Sequence, residues 1–143
     1  MNLTPEQQRA QLIAIQNSLS MQNNITVLIV DDETEDSYLT KERLSRFGIT
    51  AVIADSGDVA LQMIEHEPFS IIFLDWKLIG RSGMQTLLGV KEKAPNCIVI
   101  VLTGATYGEY ASQALVNGAA AVMLKPLTEE NIKLIFGEPT NIK

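Results

Sequence analysis

Short apolar runs alternate along the chain with longer segments in which apolar residues recur every three or four positions. Five runs, Ile25–Val30, Thr50–Ala54, Ser70–Leu74, Ile98–Leu102 and Ala121–Leu124, predict strands. The first, third and fourth are almost wholly apolar, as parallel strands covered on both faces must be. The segments between them predict helices. One near Glu35–Phe47 carries Leu39, Leu44 and Phe47 on its inner stripe and ends at Gly48. A second is capped by Ser56 and turns Val59, Ala60, Met63 and Ile64 inward. A third runs from the Gly80–Gly83 stretch to about Lys93, before Pro95, and a fourth spans about Glu109–Asn117 and stops at Gly118. The last opens at Thr128-Glu129-Glu130, where acids suit the positive end of a helix. The alternation predicts an α/β fold, a doubly wound (βα)5 parallel sheet.

Residues 1–23 stand apart as an N-terminal helical extension or linker, with residues 24–143 forming the domain. The extension is rich in Gln and lacks Gly. Thr4-Pro5-Glu6-Gln7 reads as a helix start, with Thr4 as N-cap and Gln7 closing a capping box. Leu12, Ile15 and Leu19 then form one stripe, shorter than the heptads of a coiled coil. Two readings stay open: a helix that packs on its own domain or frays, and a dimer contact or signalling helix.

At 143 residues, 46% of them apolar, the chain holds one domain and an appendage. Its net charge of −6, with no cluster of Lys or Arg, argues against a nucleic-acid surface. The single cysteine, Cys97, cannot form an internal disulfide, which favours a reducing compartment. No apolar stretch approaches the roughly 20 residues of a membrane span. No secretory signal is present, so the expected location is cytoplasmic.

The chemistry lies at the ends of the runs. Asp31-Asp32 follows the first, Asp75 the third, Thr103 the fourth and Lys125-Pro126 the fifth. In a parallel sheet these residues emerge together at the carboxyl edge, where ligands of such sheets bind. Three neighbouring carboxylates raise one another's pKa, and a cation relieves the crowding. Mg2+ suits such hard oxygens, with one or two carboxylates and a phosphate oxygen. Asp75 has no packing role after Ile71-Ile72-Phe73-Leu74, and a carboxylate there can attack phosphorus. Such a transfer asks mainly for positioning and charge neutralisation, which the cation, Lys125 and Thr103 can supply. A cis Lys125–Pro126 bond would turn the ammonium into the cleft. Taken singly, each residue has a plainer reading: the Asp pair as a helix N-cap, Lys125 as a surface lysine, Thr103 as a loop cap. His66 reads as solvated between two acids, Trp76 as a reporter beside the site, and Cys97 as inert.

Together the motifs resemble the receiver domain of two-component response regulators. The marks are Asp31-Asp32, Leu74-Asp75 with Gly83 eight residues later, Leu102-Thr103-Gly104, and Gly118-Ala119 ahead of Lys125-Pro126. They run in the family's order from about Asn24 to about Phe136. The resemblance implies a flavodoxin-like fold with strand order 2-1-3-4-5. It implies Mg-dependent transfer from a phosphohistidine, on a histidine kinase or phosphotransfer protein, to Asp75. It also implies Mg2+ held by Asp32, Asp75 and the Lys77 backbone carbonyl, with Asp31 acting largely through water. The domain would be a signalling switch that catalyses only its own phosphorylation and dephosphorylation. It would pair as a homodimer, if at all, through the N-terminal helix or through the face of the last two helices and the fifth strand. The wording of residues 74–78 and 102–104 resembles receivers found in hybrid histidine kinases or ahead of sensor domains.

Some positions depart from the family. Val122 stands where receivers usually carry Tyr or Phe, so the usual threonine–aromatic switching link lacks its ring. Ile79 replaces a proline, and Lys77 and Ala105 occupy positions flanking the phosphoryl group. Two other functions compete. One is a receiver-like interaction domain independent of phosphorylation, against which the intact acids and Lys125 argue. The other is a phosphohydrolase of the haloacid dehalogenase type, whose Asp-x-Asp pattern neither Asp31-Asp32-Glu33 nor Asp75-Trp76-Lys77 supplies. Residues 127–143 are too few for an output domain, leaving a stand-alone receiver or a segment of a longer protein.

Overall fold

The computed structural model describes residues 3–78, 80–104 and 107–138. Helix α1 (Pro5–Ser20) precedes five strand–helix units: β1 (Val27–Val30), α2 (Thr34–Ser45), β2 (Ala51–Ala54), α3 (Gly57–His66), β3 (Ile71–Asp75), α4 (Gly83–Lys93), β4 (Ile98–Thr103), α5 (Tyr107–Val116), β5 (Ala121–Leu124) and α6 (Glu129–Phe136). The strands form one parallel sheet in the order β2-β1-β3-β4-β5. The fold class read from the pattern is therefore the observed one. Chain order reverses at β1, so β1 and β3 lie side by side with their following loops diverging, which opens a crevice above them.

Period-two alternation divides the core. Val27, Ile29, Ile71, Phe73, Ile100 and Met123 face α1, α2 and α6, while Leu28, Val30, Ile72, Leu74, Val99 and Val122 face α3, α4 and α5. Both sides of β1 and β3 are buried, which explains their lack of polar residues. β3 and β4 each run one residue further than the apolar runs, because Asp75 pairs with Leu102 and Thr103 with Leu124. These two candidate side chains thus stand on the rigid ladder itself.

Two helix faces differ from the expectation. Leu39 is exposed, and α2 instead buries Ser37, Thr40 and Leu44. Val59 is also exposed, with Ala60 and Leu61 turned inward and Met63 and Ile64 half-buried. In both helices the docked stripe includes small or polar residues that allow close approach, so the apolar pattern alone misplaced it. The expected caps at Thr4, Ser56 and Thr128 are present, and Gly48 takes a left-handed φ of 76°.

The N-terminal helix packs on its own domain. Its capping box forms as expected, and Leu12, Ile15 and Leu19 are buried in the core shared with α6 and β5. A dimer contact through that stripe is not available while it is docked.

Candidate functional site

The carboxyl edge of the sheet gathers the residues singled out above. Carboxylate oxygens of Asp31, Asp32 and Asp75 all lie within 4.8 Å of one another. The Lys125 ammonium reaches in from the end of β5, 3.2 Å from Asp31 Oδ2 and 3.3 Å from Asp75 Oδ2. The Lys125–Pro126 bond is cis, as expected. Thr103 is buried at the end of β4 and is tied by its carbonyl to the Lys125 N–H at 2.9 Å.

Local structure fixes each acid. Asp31 Oδ1 accepts from the Glu33 N–H at 2.9 Å, so this carboxylate orders the turn into α2. The N-cap itself is Glu33, which makes no side-chain capping bond, so the plain N-cap reading of the Asp pair does not hold. Asp75 Oδ1 accepts from the Lys77 N–H at 3.2 Å, while Oδ2 faces Lys125. The Trp76 N–H donates to the Leu102 carbonyl at 2.9 Å, anchoring the chain just past Asp75. The Lys77 side chain is exposed; Ile79 and Ala105 lie outside the described residues.

Gly83 has a steric role here. A Cβ at this position would stand 2.5 Å from the Trp76 carbonyl oxygen and 2.8 Å from its Cα. Only glycine lets α4 begin against the loop that carries Asp75. Arg81 holds the same loop from outside through Asp58, at 2.7 Å.

Burial pushes the Asp75 carboxyl up to about 6, with the Asp31 charge adding to the effect and Lys125 opposing it. For Lys125, burial pulls the ammonium down, but Asp75 and Asp31 outweigh it and hold it above the ordinary lysine value. Three carboxylates against one ammonium leave an anionic surplus of hard oxygens. That donor set fits Mg2+, which takes few carboxylates and keeps room for waters and a phosphate oxygen.

Asp36 belongs to this cluster and was not singled out from the sequence. Its Oδ2 lies 3.7 Å from the Lys125 ammonium. In the sequence it is one of several acids in the first turn of a helix, where the helix dipole alone accounts for them. Of the weighed side residues, His66 is exposed, Cys97 is buried with its thiol pushed up to about 11 by that burial, and Trp76 is half-buried beside the site.

Residues 27–136 match the response regulator receiver domain family, and the chain belongs to that family. It is similar to the transcriptional regulatory protein ZraR of Escherichia coli K12, 29% identical over 111 residues that make up 78% of this chain and 25% of ZraR. It also resembles AlgB, the alginate biosynthesis transcriptional regulatory protein of Pseudomonas syringae, at 25% identity over 85% of this chain and 27% of that protein. The chain spans about a quarter of the length of these curated relatives. Among solved structures, a Burkholderia pseudomallei response regulator with a phosphorylated aspartic acid, calcium ion and citrate superposes with a TM-score of 0.71. Identity to it is 28%, covering 76% of this chain and 64% of that one. A CheY-like receiver domain protein from Methanospirillum hungatei gives the same score at 30% identity, covering 76% and 86%. The strand order, the acidic cluster and these likenesses agree on a receiver of two-component systems. Among the described residues no helix is long and apolar enough to cross a membrane.

Proposed function

We propose that this receiver accepts a phosphoryl group on Asp75 from a phosphohistidine, carried by a histidine kinase or a phosphotransfer protein in the cytoplasm. The carrying observation is the Lys125 ammonium standing between the Asp31 and Asp75 carboxylates, within a cluster of three acids. An Asp75 carboxylate oxygen attacks phosphorus, the P–N bond breaks, and its electron pair returns to the imidazole nitrogen. Lys125 and the Thr103 hydroxyl stabilise the phosphoryl oxygens, while the Lys77 N–H orients the carboxylate from its other oxygen. Asp32, Asp75 and the Lys77 carbonyl would hold Mg2+, with Asp31 contributing through water. Bound there, the ion supplies positive charge to the phosphoryl oxygens.

The chain catalyses only its own phosphorylation and dephosphorylation, and the modified state is the signal. Incubation with a small phosphodonor and Mg2+ tests this reading. One acid-labile phosphoryl group per chain is expected, absent from Asp75→Asn; labelling that survives in that variant refutes it.

A further inference from the structure

The receiver family match begins at residue 27, so α1 is an addition to a fold complete without it. It lies along α6 and touches β5, and its grip is of mixed quality. Leu12, Ile15 and Leu19 are 2%, 5% and 1% exposed. Two glutamine amides donate to main-chain carbonyls: Gln8 Nε2 to Val122 O at 2.8 Å, and Gln16 Nε2 to Lys133 O at 3.1 Å. Against these stands the Gln11 Oε1, buried and with no hydrogen-bond partner among the described residues. Such an orphaned acceptor weakens the docked state relative to the free one.

The Gln8 contact gives α1 a connection to the phosphoryl site. β5 is an edge strand, and an edge leaves main-chain groups unpaired. Gln8 takes one of them at Val122, three residues before Lys125. A cavity of about 510 Å3 separates the first turn of α1 from the end of β5, with Pro5 and Gln8 on one side and Leu124, Lys125 and Pro126 on the other. Lys125 is held by three acids in the unmodified chain, Asp31, Asp36 and Asp75. A phosphoryl group on Asp75 gives this ammonium a new dianionic partner and redistributes those bonds. The strand end that carries Lys125 is the one Gln8 grips and Pro5 faces.

We propose that α1 is a cis-acting cover over the β5–α6 face, seated in the unmodified protein and loosened when Asp75 carries a phosphoryl group. Loosening uncovers Leu12, Ile15 and Leu19 on the helix and the apolar side of Ile132 and Ile135 on α6. Val122 cannot signal through a ring, and the main-chain bond from Gln8 supplies another route out of the site. This inference rests on Asp75 as phosphoacceptor, and its test separates the two.

The experiment is hydrogen exchange on the full chain with and without beryllium fluoride and Mg2+, alongside Trp76 fluorescence as the readout of site occupancy. Exchange across α1 should quicken several-fold on addition of the mimic. Gln8→Ala should quicken it without the mimic. Because coupling between sites is reciprocal, that variant should also bind the mimic about fivefold more tightly. A Trp76 response with unchanged or slower α1 exchange overturns the cover and leaves the site reading standing. No response at Trp76 or around Asp75 overturns both. A Gln8→Ala variant whose α1 exchange and mimic affinity match the wild type also overturns the cover.

Discussion

The Lys125 ammonium lies 3.3 Å from Asp75 Oδ2, bringing the last strand and the central strand of the sheet into one ion pair. Their partner Asp31, the residue just past β1, completes it. Among the described residues, Lys125 is the cation that pairs with both Asp31 and Asp75 at the sheet edge.

Removing that cation should therefore cost stability. Lys125→Met leaves three crowded carboxylates, and we expect a loss of about 2–4 kcal/mol at neutral pH, moderated because the ammonium is partly exposed. The pair raises the lysine pKa, so its contribution holds through the ordinary lysine range and fades only above it. Denaturant melts with and without Mg2+ check this, and Mg2+ should recover part of the loss. Equal stability of variant and wild type would show that the ion pair is not formed in solution.

Much of this arrangement was legible in the sequence, for physical reasons. Asp75 and Thr103 end runs too apolar to be anything but strands covered on both faces, so their carboxyl-edge position followed from topology. Gly83 was visible as a family mark, but its cause, the close approach of the Trp76 main chain, needed coordinates. Asp36 was hidden because a first-turn acid has a sufficient local explanation, and only tertiary packing brings Lys125 to it. The inward faces of α2 and α3 were misread at Leu39 and Val59, because close packing there selects small and polar residues over large apolar ones. The docking of α1 was one of two open readings, since three apolar residues do not specify which surface they meet.

The Asp75 carboxyl provides a pH test. Its folded pKa of about 6 lies above the ordinary carboxylate value, so the folded state binds the extra proton. Its contribution to stability is full below about 4 and is lost as pH rises through about 6. Asp75→Asn lacks this dependence, so at pH 7 it should be more stable than the wild type by up to about 3 kcal/mol, the two converging only below about pH 4. Melting curves across that range check the sign; a wild type that gains stability relative to the variant between pH 4 and 7 would contradict it.

Metal binding should follow the acids. Trp76 adjoins Asp75 and is half-buried, so Mg2+ titration should change its fluorescence. Asp32→Asn should weaken the apparent affinity at least several-fold, since on the proposed reading a direct ligand loses its charge. Lowering the pH through about 6 should weaken it in the wild type, because a proton on Asp75 competes with the ion. Unchanged affinity in Asp32→Asn would place the cation elsewhere.

The central claim is that Asp75 itself carries the phosphoryl group, and borohydride trapping tests it at the level of the atom. An acyl phosphate on the Asp75 carboxyl is reduced to the alcohol, leaving homoserine in place of aspartate. After treatment with phosphodonor, Mg2+ and borohydride, peptide mapping should find homoserine at position 75 and at no other acid. Homoserine at position 31 or 32, or phosphate recovered on a hydroxyl side chain with Asp75 intact, would contradict the account.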